Sequence, residues 1–327
     1  AAFLLAPPGA TAQKGGDIPA APELPSGYTE KKLVTAKQYM VAAAHPLAVR
    51  AGLEILEAGG NAIDAAIAVQ LVLNLVESQA SGIGGGAFIL HYDAKKNLLA
   101  GYDGREEAPA GATPDLFIGK DGKPMRLPEA IVGGRSVGVP GLLRVAALSH
   151  DKHGKLPWAK LFEPAIALAE QGFPLSPRTH THLNNDKALP ANPLAREYFY
   201  LPDGSPKPIG TTIKNAAFAA ALKRISKEGP DAFYKGDIAR DIAAAVRNHP
   251  TNPGSLSEAD LAGYRARTVE PICGPYRQYR VCGMPPPSSG GIAVLQILET
   301  LERFDMKAVR PSSVEAVHLI AEAGRLA

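Results

Sequence analysis

Asn61-Ala-Ile-Asp-Ala-Ala-Ile-Ala-Val-Gln-Leu-Val-Leu-Asn-Leu-Val76, then Ser81-Gly-Ile-Gly-Gly-Gly86, then Asp103-Gly-Arg-Glu-Glu-Ala-Pro109 is the stretch on which the reading of this chain turns. Asn61 stands where a helix N-cap belongs, and Asp64 three residues on completes a capping-box pattern. The helix that follows, Ala62 to Val76, is apolar on nearly every side, so it must be buried on nearly every side. The glycine cluster lets backbone approach backbone or ligand where a Cβ would collide. Arg105 is the first side chain after it that can grip a carboxylate with two parallel hydrogen bonds.

Working outward, Pro46 to Ala58 reads as a preceding helix, with Pro at its first turn and Gly59-Gly60 at its end. Ala87 to Tyr92 and Leu98 to Tyr102 read as two strands joined by the polar turn Asp93-Ala-Lys-Lys-Asn97. Further helices are expected at about Trp158 to Gln171, Asn215 to Ser226, Ile238 to Arg247 and Ile292 to Phe304. Strands return at Val269 to Ile272 and Tyr279 to Cys282. Sheet residues therefore bracket a mainly helical excursion at about 140–265, either an insertion into one layered α+β domain or a separate middle domain. From Ser312 the chain has capping residues and then helical spacing at Val314, Val317, Ala321 and Leu326, with no C-cap or following proline, as if cut within or just after a helix.

Composition bounds the function. The 327 residues carry 35 Lys+Arg against 32 Asp+Glu, a formal charge of +3, with no dense basic run, so a nucleic-acid footprint is missing. The longest apolar run is shorter than the roughly 20 residues that span a bilayer. Residues 1–24 are rich in Ala, Pro and Gly without periodicity and read as a leader remnant or flexible tail. Ala1-Ala-Phe-Leu-Leu-Ala6 before Ala10-Thr-Ala12 is similar to the end of a secretory signal, which points to a periplasmic or secreted protein.

Each candidate for chemistry has a plainer alternative. Gly84, Gly85 and Gly86 follow a helix and precede a strand, the reverse of a dinucleotide-binding loop, so a pocket wall or close packing is the better reading. His150-x-x-His153 and His180-x-His182 sit in apparent loops with no ligand cluster around them and read as surface histidines. Ser289 in Pro285-Pro-Pro-Ser-Ser-Gly-Gly291 can cap a buried helix; Ser288 and Ser289 are pocket-wall or structural residues. Cys273 and Cys282 flank a strand-turn-strand and either pair as a disulfide or sit as two small, partly buried residues. Arg105 alone is either a surface arginine paired with a nearby acid or a carboxylate anchor.

At these residues the sequence resembles the γ-glutamyltranspeptidase family. The matching stretches are Met40-Val-Ala-Ala-Ala-His-Pro-Leu-Ala48, Gly59-Gly-Asn-Ala-Ile-Asp-Ala-Ala66, Ser81 to Gly86, Gly104 to Pro109, Val137-Gly-Val-Pro-Gly141 and Met284 to Gly291, in family order. The resemblance implies an N-terminal nucleophile hydrolase fold, an αββα sandwich to which residues 25–327 contribute the large-subunit portion. A separate small subunit, cut from the same precursor, completes it. It also implies a threonine nucleophile at the start of that small subunit, hence no nucleophile in this chain, and no metal or organic cofactor. Arg105 is then the residue that binds the α-carboxylate of γ-glutamyl compounds such as glutathione or glutamine. Some relatives are cephalosporin acylases, which is the nearest alternative. A scaffold subunit inactive on its own is another.

Overall fold

In the computed structural model, which describes residues 32–327, Asn61 caps as its position predicts. Its side chain accepts the N–H of Ile63 and Asp64, and an Asp64 carboxylate oxygen accepts the N–H of Asn61, closing the capping box. The fully buried Asp64 carboxylate also accepts the N–H groups of Lys155 and Leu156 at 3.1–3.2 Å. Three main-chain donors thus replace the water it has lost, and the cap becomes a long-range tie. The expected leader at 1–24 lies outside the described residues.

In chain order, α1 (Pro46–Glu57) and α2 (Ala62–Val76) lead into the strands β1 (Ala87–Asp93) and β2 (Leu98–Gly104). A largely helical excursion follows: α3 (Leu127–Ile131), α4 (Leu142–His153), a tight helical turn at Trp158–Phe162 running into α5 (Glu163–Gln171), the two-residue β3 (Phe173–Pro174), α6 (Pro177–Asn185), α7 (Pro193–Phe199), β4 (Thr212–Ile213), α8 (Ala216–Glu228), α9 (Asp231–Tyr234), α10 (Gly236–Arg247) and α11 (Glu258–Gly263). The chain then returns as β5 (Arg267–Val269), β6 (Ile272–Tyr276) and β7 (Tyr279–Gly283), followed by α12 (Gly290–Leu301) and α13 (Val314–Leu326).

β1, β2 and β5 form one antiparallel sheet in that order, with Ala87 opposite Gly104 and Asp103 opposite Arg267. β6 and β7 form a separate hairpin in which Cys273 faces Cys282. The main core runs from α1 and α2 across α4 and α5 to α8, through Ile55, Leu71, Val72, Leu143, Phe162, Leu222 and Ile225. Each such side chain contributes about 1.5–3 kcal/mol when fully buried, so this layer is the rigid body behind the sheet.

Three expectations need correction. Val269 to Ile272 is not one strand: β5 ends at Val269, and Ile272 begins β6, which pairs with β7 instead. Pro271 between them has no N–H to give to a ladder. Trp158 to Gln171 is not one regular helix either, since α5 starts only at Glu163, with Pro164 in its first turn where a missing N–H costs nothing. Finally, the histidine pairs do not sit in loops. His150 and His153 end α4, which begins after Gly141 with no side-chain cap to mark it, and His180 and His182 lie on α6, whose Ser176 cap and Pro177 were a signal the sequence reading did not use.

His153 is also more than a surface residue. The hydroxyl of Tyr102, itself buried in β2, lies 2.5 Å from His153 Nε2, and the His91 ring stacks on the His153 ring with centroids 4.1 Å apart. Burial, then the charges of His91, Lys152 and Lys96, push the His153 imidazole below its ordinary value, with Asp93 opposing. The unfolded chain therefore takes up a proton near pH 6.5 that the folded chain resists, so folding stability falls as pH drops through that region. The melting temperature should decline below about pH 6.5, and His153→Gln, which keeps an acceptor for Tyr102, should flatten the decline. An unchanged pH slope in the variant would refute this.

Candidate functional site

Three backbones meet where β2 ends. A Cβ on Gly104 would stand 2.4 Å from the Val145 Cβ, and one on Gly141 would stand 2.1 Å from the Gly104 carbonyl oxygen. The third is the glycine cluster, whose Gly85 carbonyl accepts the N–H groups of Gly141 and Leu142, each at 3.0 Å. These are donors at the start of α4 that its own ladder leaves unmatched, so the turn after α2 serves as the cap of α4. A Cβ on Gly86 would lie 2.5 Å from the Gly104 oxygen. Gly85 is less tight, and a Cβ on Gly84 would meet nothing within 4 Å among the described residues. Close packing within this chain therefore accounts for Gly86 and not for Gly84.

The polar residues that interrupt the apolar helix α2 hold this turn from behind. Gln70 Nε2 donates to Ser81 Oγ at 2.6 Å, and Ser81 Oγ donates to Asn74 Oδ1 at 2.8 Å. Glu77, buried at the end of α2, accepts from Gln79 at 2.6 Å and lies 3.3 Å from Arg178 of α6. Sequence reading gave Gln70 and Asn74, as interruptions of the apolar run, no role of their own. Their i, i+4 spacing on an otherwise apolar helix was the available signal.

Arg105 follows directly after β2, and its side chain is 52% exposed. Its Nε lies 3.6 Å from Glu106 Oε2, and the guanidinium carbon lies 6.0 Å from the centroid of the Phe88 ring, contributed by β1. Its own N–H donates to Asp103 Oδ1 at 2.8 Å, and its carbonyl accepts from the Tyr264 hydroxyl at 2.7 Å. Asp103 is buried and pairs with Arg267 of β5 at 2.9 Å. Burial, with the Glu107 and Asp103 carboxylates nearby, pushes the Tyr264 phenol well up, so it stays protonated and donates. Tyr264 and Arg267 also escaped the sequence reading, because they come about 160 residues after Arg105 and no local pattern links them.

The other expected residues lie elsewhere. Ser288 and Ser289 sit in the turn before α12, and their hydrogen bonds stay within that turn and the first turn of the helix. The expected cap at Ser289 is a correction: it holds the N-cap position, but Ser288 Oγ accepts the Gly290 N–H at 3.3 Å instead. The Sγ atoms of Cys273 and Cys282 lie 2.11 Å apart across the β6–β7 hairpin. An apolar cavity of about 280 Å³ lies behind Phe88, between α2, β1 and α4, lined by residues such as Leu71, Leu90 and Leu142. Among the described residues no group of three or more His, Cys, Asp or Glu could hold a metal ion, and no helix is long and apolar enough to cross a membrane.

A helical layer on an antiparallel sheet, with a glycine turn presenting an arginine at the strand end, is an α+β arrangement, and the fold is that of the N-terminal nucleophile hydrolases. The family model described as gamma-glutamyltranspeptidase matches residues 48–327, and the chain belongs to that family. It is similar to the glutathione hydrolase proenzyme of Bacillus subtilis strain 168, with 41% identity over 91% of this chain and 50% of that protein. It is also similar to the acylase ACY 1 proenzyme of Pseudomonas sp. strain V22, with 38% identity over 91% of this chain and 54% of that protein. The crystal structure of Helicobacter pylori gamma-glutamyltranspeptidase superimposes with a TM-score of 0.84 at 32% identity, covering 90% of this chain and 83% of that one. The chain spans about half the length of the curated relatives it matches.

The glycine geometry separates two substitutions. Gly86→Ala must displace the Gly104 carbonyl and should lower the melting temperature by several degrees, as a clash costing roughly 1–3 kcal/mol does. Gly84→Ala, with open space around it, should melt as the parent does. Equal melting curves for the two variants would sink this reading of the turn.

Proposed function

We propose that this chain is the large subunit of a γ-glutamyltranspeptidase, cut from a common precursor with a small subunit that carries the nucleophile. Arg105 binds the α-carboxylate of the γ-glutamyl group by a paired guanidinium contact, which fixes both the position and the chirality of that end of the substrate. The single observation that supports this best is the half-exposed Arg105 guanidinium at the end of β2, on a main chain hydrogen-bonded at both its N–H and its carbonyl, beside the Gly85–Gly86 turn. Family membership supplies the reaction class.

The chemistry is acyl transfer. The hydroxyl of the threonine that opens the small subunit attacks the γ-carbonyl, and the freed α-amine of that threonine takes its proton. The amide C–N bond breaks and the leaving amine takes up a proton, which leaves a glutamyl ester on the threonine. Water, or the amine of an amino acid or peptide, then attacks the ester and releases glutamate or a new γ-glutamyl amide. Glutathione is the substrate that the name of the Bacillus subtilis relative points to. The reaction takes no metal or organic cofactor, and the protein acts in the periplasm or outside the cell, where a Cys273–Cys282 bridge persists.

The test is turnover of γ-glutamyl-p-nitroanilide by the assembled two-subunit protein. Absence of turnover would overturn the transferase reading, and cleavage of glutaryl-7-aminocephalosporanic acid without γ-glutamyl activity would select the acylase chemistry of the Pseudomonas relative instead. In the same assay Arg105→Lys should raise KM roughly tenfold or more, because a point charge replaces a planar fork; an unchanged KM would dismiss the carboxylate role. Thiol titration of the denatured, unreduced protein should find almost no free thiol, and two titratable thiols per chain would refute the bridge.

A further inference from the structure

The first residue beyond a strand usually has a loosely held main chain, but the main chain of Arg105 is gripped from two sides. Asp103 Oδ1 accepts its N–H at 2.8 Å, and the Tyr264 hydroxyl donates to its carbonyl at 2.7 Å. Neither holding group is free to drift. Asp103 is only 3% exposed, and its other oxygen is held by Arg267 at 2.9 Å, the residue opposite it in the β2–β5 register. Tyr264 is 4% exposed, and its ring stacks nearly parallel to that of Tyr234, whose hydroxyl donates to the Pro140 carbonyl at 2.9 Å.

The placement of the phenol is specific. A Cβ on Gly141 would come within 2.3 Å of the Tyr264 oxygen, so this crossing admits the hydroxyl only because Gly141 has no side chain. Tyr264 and Arg267 stand three residues apart, where the chain leaves α11 and enters β5. The end of the helical excursion therefore delivers one side chain, Tyr264, to the Arg105 carbonyl and a second, Arg267, to the Asp103 carboxylate that accepts the Arg105 N–H. Tyr264 faces the main chain of Arg105 and does not carry the guanidinium. Its effect on a bound ligand must pass through the position of the Arg105 Cα. A paired guanidinium–carboxylate contact is sensitive to such placement, because both hydrogen bonds fail together when the fork is displaced.

We propose that Tyr264, supported by the Asp103–Arg267 pair, is a positioning residue for Arg105: it anchors the Arg105 carbonyl so that the guanidinium meets the substrate carboxylate in register. This rests on the reading of Arg105 as the carboxylate anchor. Tyr264→Phe keeps the ring stack and removes only the donor.

In the assembled two-subunit enzyme this variant should raise KM for γ-glutamyl-p-nitroanilide roughly tenfold and weaken inhibition by free glutamate by a similar factor, with kcat within about twofold. In an Arg105→Lys background the same substitution should add nothing, because its effect runs through the guanidinium fork. A merely structural tyrosine would produce its loss in both backgrounds, so an undiminished effect on Arg105→Lys overturns the proposal, as does an unchanged KM for Tyr264→Phe alone. Arg105→Lys by itself keeps the two ideas apart. Normal glutamate inhibition in that variant removes the carboxylate reading and this proposal with it, whereas weakened inhibition there beside normal inhibition in Tyr264→Phe overturns the positioning role only. Should Tyr264→Phe fail to assemble, Arg267→Ala decides: its side chain is 57% exposed, and its loss should raise KM about threefold, while an unchanged KM would again overturn the proposal.

Discussion

The structure depends on one crossing at which no side chain fits. Gly86, Gly104 and Gly141 bring the turn after α2, the end of β2 and the start of α4 within backbone contact, and a Cβ at any of the three would lie 2.1–2.5 Å from a neighbouring atom. Because carbonyls and N–H groups can then reach each other, the α4 N-terminus is satisfied by Gly85 rather than by a side-chain cap. The apolar bodies of α2 and α4 are thereby set against the sheet, and the residue that follows Gly104 is pushed out at a fixed point. That residue is Arg105.

Among the described residues the buried carboxylates each meet several partners. Asp64 has three main-chain donors, Glu77 has Gln79 and Arg178, and Asp103 has the Arg105 N–H and Arg267. An unpaired carboxylate in these places would cost several kcal/mol, whereas a matched one is roughly neutral in energy and exacting in geometry. Each of the three ties a local element to one distant in sequence, so the buried acids hold register between layers more than they add stability. The proposed carboxylate anchor sits at the end of such a tie. This fixes the main chain of Arg105 while leaving its guanidinium half exposed.

Much of this was legible in residues 61–109. The capping box at Asn61 and Asp64, the bounds of α2 and the paired strands after the glycine turn follow from local rules: a cap must accept N–H groups, and an all-apolar helix must be covered. Arg105 stood out for the same reason, as the lone fork-shaped donor beside a glycine turn. What was misread lacks such local marks. α4 begins at a glycine with no side-chain cap, so its last-turn histidines were taken for loop residues. The Ser289 cap failed because Ser289 has helical φ and ψ (−75° and −21°) and not the extended backbone from which a capping side chain reaches the second or third N–H of its helix. The stretch Val269 to Ile272 was read as one strand because β propensity carries no record of partner, and its two halves pair with different strands.

The sequence by itself determined the α1–α2–β1–β2 segment, the family and the place of Arg105 at a strand end, because caps, periodicity and a run of glycines act over a few residues and leave a mark at each. Only the tertiary structure decided which backbones cross at Gly104 and which side chains hold Arg105 there. Tyr264 reaches its carbonyl, and Arg267 reaches the Asp103 carboxylate beneath its N–H, from about 160 residues away, and a hydrogen bond that closes across such a distance is set by how the helical layer folds back on the sheet, which no local pattern encodes.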